Sequence, residues 1–187
     1  KRPDYDVEYT FGAVGIEKPF IDYSANCGNI SSAVGPFAIE RRLVRPEEPL
    51  TTVKIFNTNT RKMIHAKIPV ENGKVVCEGD YEIAGVPNAG AKIELSFMDP
   101  GGGATGRLIP TGSPIDEIRL DSGESFNVTI IEAGNTTAFI RAGDFGLKGT
   151  KLPEDFDRDV HLRGKLEAIR RKVGDLIGMP AQPSLPK

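Results

Sequence analysis

The sequence predicts an α+β fold dominated by antiparallel strands, and three observations carry that prediction. Short runs alternate apolar and polar residues between turn signals, in a chain with 21 Gly and 14 Pro but no Trp. Asn72-Gly73, a pair favoured where both central residues of a type I′ turn need positive φ, separates two such runs. Toward the C-terminus the period changes. Leu162, Leu166, Ile169, Val173, Leu176 and Ile177 recur at steps of three and four, marking one face of a helix from Asp157 to Gly178 that Pro180 closes.

In chain order, the first expected helix follows Cys27-Gly28-Asn29. Ile30, Ala33, Val34, Phe37 and Ala38 form its narrow apolar stripe toward Arg42, and Pro36 is expected to kink or restart it. The Pro-rich Arg45-Pro46-Glu47-Glu48-Pro49 is the expected boundary between a leading piece, residues 1–45, and a second β-rich unit, residues 46–187. Beyond it, Thr51 to Phe56 alternates around Val53 and Ile55, and the turn-rich Asn57-Thr58-Asn59-Thr60 leads to a second run from Met63 to Val70. With Lys74 to Cys77 after the Asn-Gly turn, these make three antiparallel strands, with Cys77 expected in the core. Further strands are expected at Lys92–Phe97, Ile115–Leu120, Asn127–Glu132 and Thr137–Arg141. Thr51 to Arg141 is then a mostly antiparallel sheet wrapped on the C-terminal helix through Leu162, Leu166, Ile169 and Val173.

Charge and composition narrow the function classes. Lys and Arg number 24 against 26 Asp and Glu, so no whole-chain field draws the molecule to nucleic acid or anionic lipid, and any anion must be held by a local site. Two cysteines give neither a disulfide framework nor a zinc pattern, and no apolar run is long enough to span a membrane. A soluble, cytoplasmic protein is expected. The first residue is Lys1 rather than Met, and Ser184-Leu185-Pro186-Lys187 reads as the approach to another element, so both ends are expected to be cut.

Asp22-Tyr23-Ser24-Ala25-Asn26-Cys27-Gly28-Asn29 places a thiol, two amides and a glycine directly before a helix. A helix N-terminus carries about half a positive charge and several unpaired N–H groups, so it binds carboxylate and favours thiolate. Gly28 admits close approach of a ligand to the backbone, and Asn26 and Asn29 offer donors. The same turn also serves simply as a capped helix start, and the residues alone leave both readings open. A second stretch, Asp99-Pro100-Gly101-Gly102-Gly103-Ala104-Thr105-Gly106-Arg107, can cradle an anion through backbone N–H groups or be a mobile surface loop. It lacks the Gly-Lys-Ser/Thr ending of a phosphate loop, and Arg107 is the residue in it able to grip a carboxylate bidentately. Pro110-Thr111-Gly112-Ser113-Pro114 and Ala133-Gly134-Asn135-Thr136 are turn chemistry first. His65 and His161 are isolated, and no Ser-His-Asp set or dinucleotide fingerprint is present. Cofactor-independent proton chemistry or simple binding is left.

Phe20-Ile21-Asp22-Tyr23-Ser24-Ala25-Asn26-Cys27-Gly28-Asn29, followed by Ala33-Val34-Gly35-Pro36-Phe37-Ala38, closely resembles the signature of the PrpF family. That family includes methylaconitate and methylitaconate isomerases and 4-oxalomesaconate tautomerases. Met98-Asp99-Pro100, Ala104-Thr105-Gly106-Arg107-Leu108, Pro110-Thr111-Gly112 and Glu132-Ala133-Gly134-Asn135 resemble later blocks in the same order. The resemblance implies a diaminopimelate epimerase-like fold, in which two pseudo-symmetric halves each wrap a sheet around a central helix and the substrate lies between them. The chain then carries only part of the two-domain fold: the end of the first domain up to residue 45 and most of the second.

By the same resemblance Cys27 is an acid/base residue, with Ser24, Asn26, Gly28, Asn29, Arg107, Thr111, Gly112 and Asn135 around a substrate carboxylate. It implies no metal or organic cofactor, an unsaturated carboxylate as partner, and a place in propionate catabolism through the 2-methylcitrate cycle. No nucleic-acid or membrane partner is expected, and a homodimer is left open. Members of the family are about twice as long and carry an N-terminal Gly-Gly-Thr-Ser-Lys-like motif, a further lysine thought to act as base, and a C-terminal glycine-rich segment; none of these occurs in this sequence. The expected reaction is the conversion of 2-methyl-trans-aconitate to its cis isomer, with methylitaconate isomerisation, oxalomesaconate tautomerisation or non-catalytic carboxylate binding as alternatives.

Overall fold

A computed structural model describes residues 4–16 and 19–179, in two compact units, Lys1–Pro100 and Gly101–Lys187. Pro180, expected to close the last helix, lies outside the described residues.

The first unit contains β1 (Val7–Tyr9), β2 (Ala13–Val14), β3 (Ile21–Asp22), α1 (Gly28–Glu40), β4 (Leu50–Asn57), β5 (Lys62–Glu71), β6 (Lys74–Val75) and β7 (Glu94–Phe97). Its sheet runs β1-β4-β5-β6, with β7 also on β5; β1 is parallel to β4, and the other pairs are antiparallel. The hairpin expected at Asn72-Gly73 is present, with φ of 53° and 71° at the two turn residues. β4 keeps strict alternation, burying Thr51, Val53, Ile55 and Asn57 while Leu50, Thr52 and Lys54 face out. Val53 and Ile55 join Ile64, Ala66, Ile68 and Val70 of β5 and Ala38 and Ile39 of α1 in one core.

Of the expected stripe, Ala38 is buried and Val34 packs against the core, but the other three residues are exposed. Ser31, Gly35, Ala38 and Ile39 are buried, whereas Ile30 and Phe37 are about half exposed at 51% and 57%, and Ala33 is exposed. Gly35 is the reason: a Cβ there would lie 2.5 Å from Ile68 Cδ1, so the helix meets β5 along its small residues. Pro36 removes one helical N–H but neither breaks nor restarts the helix. The end is a Schellman motif, with Arg42 at φ 58°, its N–H on Ile39 O at 2.9 Å and the Leu43 N–H on Ala38 O at 2.8 Å.

The second unit contains β8 (Asp116–Arg119), β9 (Ser125–Ala133), β10 (Asn135–Ile140), α2 (Pro153–Arg158) and α3 (Val160–Leu176). Its antiparallel sheet runs β10-β9-β8 and shares a core with α3: Ile118, Leu120, Phe126, Val128 and Ile130 against Ile169 and Val173.

Several expectations are corrected. The strands between Thr51 and Arg141 form separate sheets rather than one, the first with α1 in its core and the second with α3. The C-terminal helix is broken at Asp159, whose carboxylate accepts the Leu162 N–H at 3.0 Å and so caps a new helix. Leu176 is 52% exposed. Cys77 follows β6 and is exposed rather than in the core. The division between units falls at Pro100, while the proline-rich 45–49 segment joins α1 to β4 inside the first unit, whose β1 and β4 pair across it. The α+β class is as expected. No helix among the described residues is long and apolar enough to cross a membrane.

On α3, Glu167 accepts a bidentate pair from Arg170 at 2.7 and 2.8 Å and a further bond from Arg171 at 2.9 Å. The Arg170 bond, then that of Arg171, brings its carboxyl from 4.5 down to about 2 against the opposing effect of burial. A lowered folded-state value contributes stability above the ordinary value, lost as pH falls from about 4.5 toward about 2. Glu167→Gln should cost about 0.5–1 kcal/mol at pH 7, the scale of a near-surface pair. Denaturation at pH 7 and near pH 2 should show that cost disappearing at the acid end.

Candidate functional site

Cys27 is the N-cap of α1, half-buried, with φ −117° and ψ 109°. Its carbonyl accepts the Ser31 N–H at 3.0 Å and the Ser31 hydroxyl at 2.7 Å, while no side chain caps the helix. The N–H groups of Gly28, Asn29 and Ile30 have no bond to a described residue, and all three residues are exposed. A Cβ on Gly28 would meet only the edge of Phe97, at 3.9 Å, so the backbone there is open to close approach. Thiol and uncapped N–H groups share one helix end, where the partial positive charge favours an anion.

Asn57 fixes this turn from below. At the inward phase of β4 and fully buried, it donates from Nδ2 to Asn26 Oδ1 at 2.9 Å. Its own Oδ1 accepts the N–H and hydroxyl of Thr60, at 2.9 and 3.0 Å. The Ser31 hydroxyl also reaches Asn26 Oδ1, at 3.3 Å. The carbonyl end of Asn26 is thereby committed to holding the turn. Ser24 donates its N–H to Asp22 Oδ1 at 2.8 Å, and that bond, with the Ser24 hydroxyl, holds the Asp22 carboxyl below its ordinary value. Asn29 is exposed, with its carbonyl on the Ser32 hydroxyl at 2.6 Å. Thus Ser24, Asn26, Cys27, Gly28 and Asn29 come together at the start of α1.

In the second unit the glycine-rich loop is bound to the end of β9. Glu132, 1% exposed, accepts the Ala104 and Thr105 N–H groups, the latter at 2.9 Å, and the Thr105 hydroxyl. The Glu132 backbone takes Gly102 N–H at 3.3 Å and gives its N–H to Leu108 O at 2.9 Å. The loop is therefore not a free cradle, because an internal carboxylate already occupies the N–H groups that an anion would use. Arg107 is carried on it and exposed. Thr111 is turned to Asp116 at 2.8 Å, Gly112 sits at φ 80° in a turn closed onto Ile109 O, and Asn135 opens β10 after Gly134. A shallow cavity of about 330 Å³ on this unit is lined by Ile115, Asn127, Thr129, Phe139 and Arg141, and includes none of the four expected residues.

The family described as PrpF protein matches this chain over residues 1–186. The chain belongs to the PrpF family. It is 42% identical over 180 residues to 3-methylitaconate isomerase of Eubacterium barkeri, covering 96% of this chain and 47% of that protein. It is 40% identical over 173 residues to 2-methyl-aconitate isomerase of Cupriavidus necator, covering 89% and 44%. The crystal structure of methylitaconate-delta-isomerase superposes with a TM-score of 0.80 at 42% identity, covering 97% of this chain and 46% of that one. The chain spans about half the length of the curated relatives it matches.

Sequence reasoning missed Asn57, Ser31 and the clamping role of Glu132. For Asn57 and Glu132 the signal was a polar residue at the buried phase of an apolar periodicity, Asn57 after Val53 and Ile55, and Glu132 after Val128 and Ile130. Asn57→Ala leaves the Thr60 donors unpaired and should cost about 2 kcal/mol, with faster amide exchange at Thr60 and Ser31. Glu132→Gln turns an amide NH₂ toward N–H donors and should cost about 1–3 kcal/mol, with lost amide protection confined first to Ala104 and Thr105.

Proposed function

We propose that the protein containing this chain is a cofactor-independent isomerase that moves protons on unsaturated di- and tricarboxylates, with 2-methyl-trans-aconitate converted to 2-methyl-cis-aconitate. The observation that carries this reading is the half-buried Cys27 thiol at the uncapped start of α1, in a family whose characterised relatives are named as isomerases. A base takes the allylic proton, whose acidity comes from carboxylates conjugated to the double bond. The electron pair delocalises into them, the former double bond gains single-bond character, and rotation followed by return of a proton gives the isomer. Cys27 serves as the acid/base partner, and the N–H groups of Gly28 and Asn29 hold a substrate carboxylate where charge builds up. Asn26 keeps that turn in place through Asn57.

Methylitaconate is the second reading, favoured by the 42% identity to the enzyme named for it. Both substrates lose the same kind of proton.

The whole protein in deuterated water should place deuterium at the allylic position of the true substrate. Cys27→Ser retains the size and the turn but replaces the thiol with a hydroxyl that hardly ionises near neutral pH. Stability should change little, and both exchange and isomerisation should fall by roughly a hundredfold or more. A serine variant as fast as the parent would remove Cys27 from the chemistry.

A further inference from the structure

On β7, Leu95 lies opposite Ala66 of β5 and Phe97 opposite Ile64, so both point to the side on which Ala66 and Ile64 pack with α1. Leu95 packs against that core, but Phe97 remains 39% exposed. It stands at the open end of the helix. The first helical residue is Gly28, and a carbon at its Cβ position would lie 3.9 Å from Phe97 Cζ, an ordinary van der Waals distance. No other described atom outside Cys27, Asn29 and the helix backbone comes within 4 Å of that point. The missing side chain at position 28 therefore leaves a methyl-sized gap between an aromatic ring edge and the backbone of the uncapped helix start. Apolar surface and anion-favouring donors meet there, which suits a ligand with an apolar group close to a carboxylate.

We propose that Phe97 is a specificity-determining residue, its ring edge receiving the methyl substituent of the unsaturated acid whose carboxylate meets the start of α1. The inference rests on the reading of that helix start as the carboxylate site. Both acids proposed above carry a methyl group, as their names state. A methyl makes no hydrogen bond, so contact with apolar surface and exclusion of water are the means of recognising it. A polar substituent in the same place gains nothing from the ring and loses its own hydration. Gly28 and Phe97 act together in this reading: the glycine provides the space and the ring gives it an apolar side.

The test is titration calorimetry on the whole protein carrying Cys27→Ser, with 2-methyl-trans-aconitate and with trans-aconitate, which lacks only the methyl group. The comparison holds even if the serine variant turns over, since isomerisation retains the methyl. The methylated acid should bind at least about fourfold more tightly, the scale of one CH₂ taken out of water. Phe97→Ala, added to this protein, should bring the ratio of the two affinities close to one by weakening the methylated acid alone. Gly28→Ala fills the gap from the protein side without a clash and should also abolish the preference. No preference before these changes, or an unchanged ratio in Phe97→Ala, would overturn the proposal; a loss of stability with the ratio intact is the result expected of a ring that serves packing only. Where Phe97→Ala does not fold, the Gly28→Ala ratio decides alone. Binding of neither acid removes the carboxylate site and this inference with it, whereas binding of both with an unchanged ratio leaves the site standing and removes Phe97.

Discussion

A polar side chain at the buried phase of a strand must find its partners inside the protein, and Asn57 meets that demand by tying three segments together. Its carbonyl oxygen closes the turn after β4 through Thr60, and its amide nitrogen reaches across to Asn26, one residue before the thiol. Either bond contributes about 1 kcal/mol net, but losing a partner in a dry interior costs about 1–3 kcal/mol. The penalty for rearrangement therefore exceeds the gain from formation, which makes the geometry of the Cys27 turn a property of the sheet rather than of a loop. Gly35 supplies the other half of the constraint. By letting α1 lie against Ile68, it fixes the direction in which the helix start points.

Glu132 solves the same problem with a charge. Placed one alternation beyond Ile130, its carboxylate has only acceptor atoms, and the glycine-rich loop folds over it to supply N–H and hydroxyl donors. A loop that looks like an anion cradle in sequence is thus organised around an anion from its own chain. A substrate carboxylate gains little there, both because Ala104 and Thr105 are engaged and because a second negative charge close by is repelled. An anion is better met at the helix start, where N–H groups remain uncapped.

The parts of the fold that were legible in sequence are those set by local rules. Asn72-Gly73 specified its turn through backbone conformation, and the alternating runs specified strands because one face of each is buried. What escaped was set by contacts distant in sequence. Ile30 and Phe37 read as core because they are apolar, yet apolar residues are not obliged to be inside, whereas the close approach of Gly35 to Ile68 cannot be seen until the helix and strand are paired. Asp159 broke the C-terminal helix because a carboxylate that caps a new N-terminus competes well with continued helix, and periodicity alone is blind to that. The Cys-Gly-Asn turn was readable as a helix start from its residue types; the Asn57 brace beneath it was not, since the two are linked only after β4 enters the sheet.

The position of Cys27 suits a reaction that runs in both directions. An isomerase that takes a proton from one carbon and returns one to another needs a partner whose charged and neutral forms are close in free energy, because either extreme would trap the proton on one side. At the start of α1 the partial positive charge of the peptide dipoles favours an anion beside Cys27. In the proposed reaction the field at this turn would act on the carboxylate and the allylic carbon, features common to methylaconitate and methylitaconate. In the proposed enzyme it therefore sets the class of reaction, while the choice between acids falls to the side chains that meet the substituents beyond the double bond.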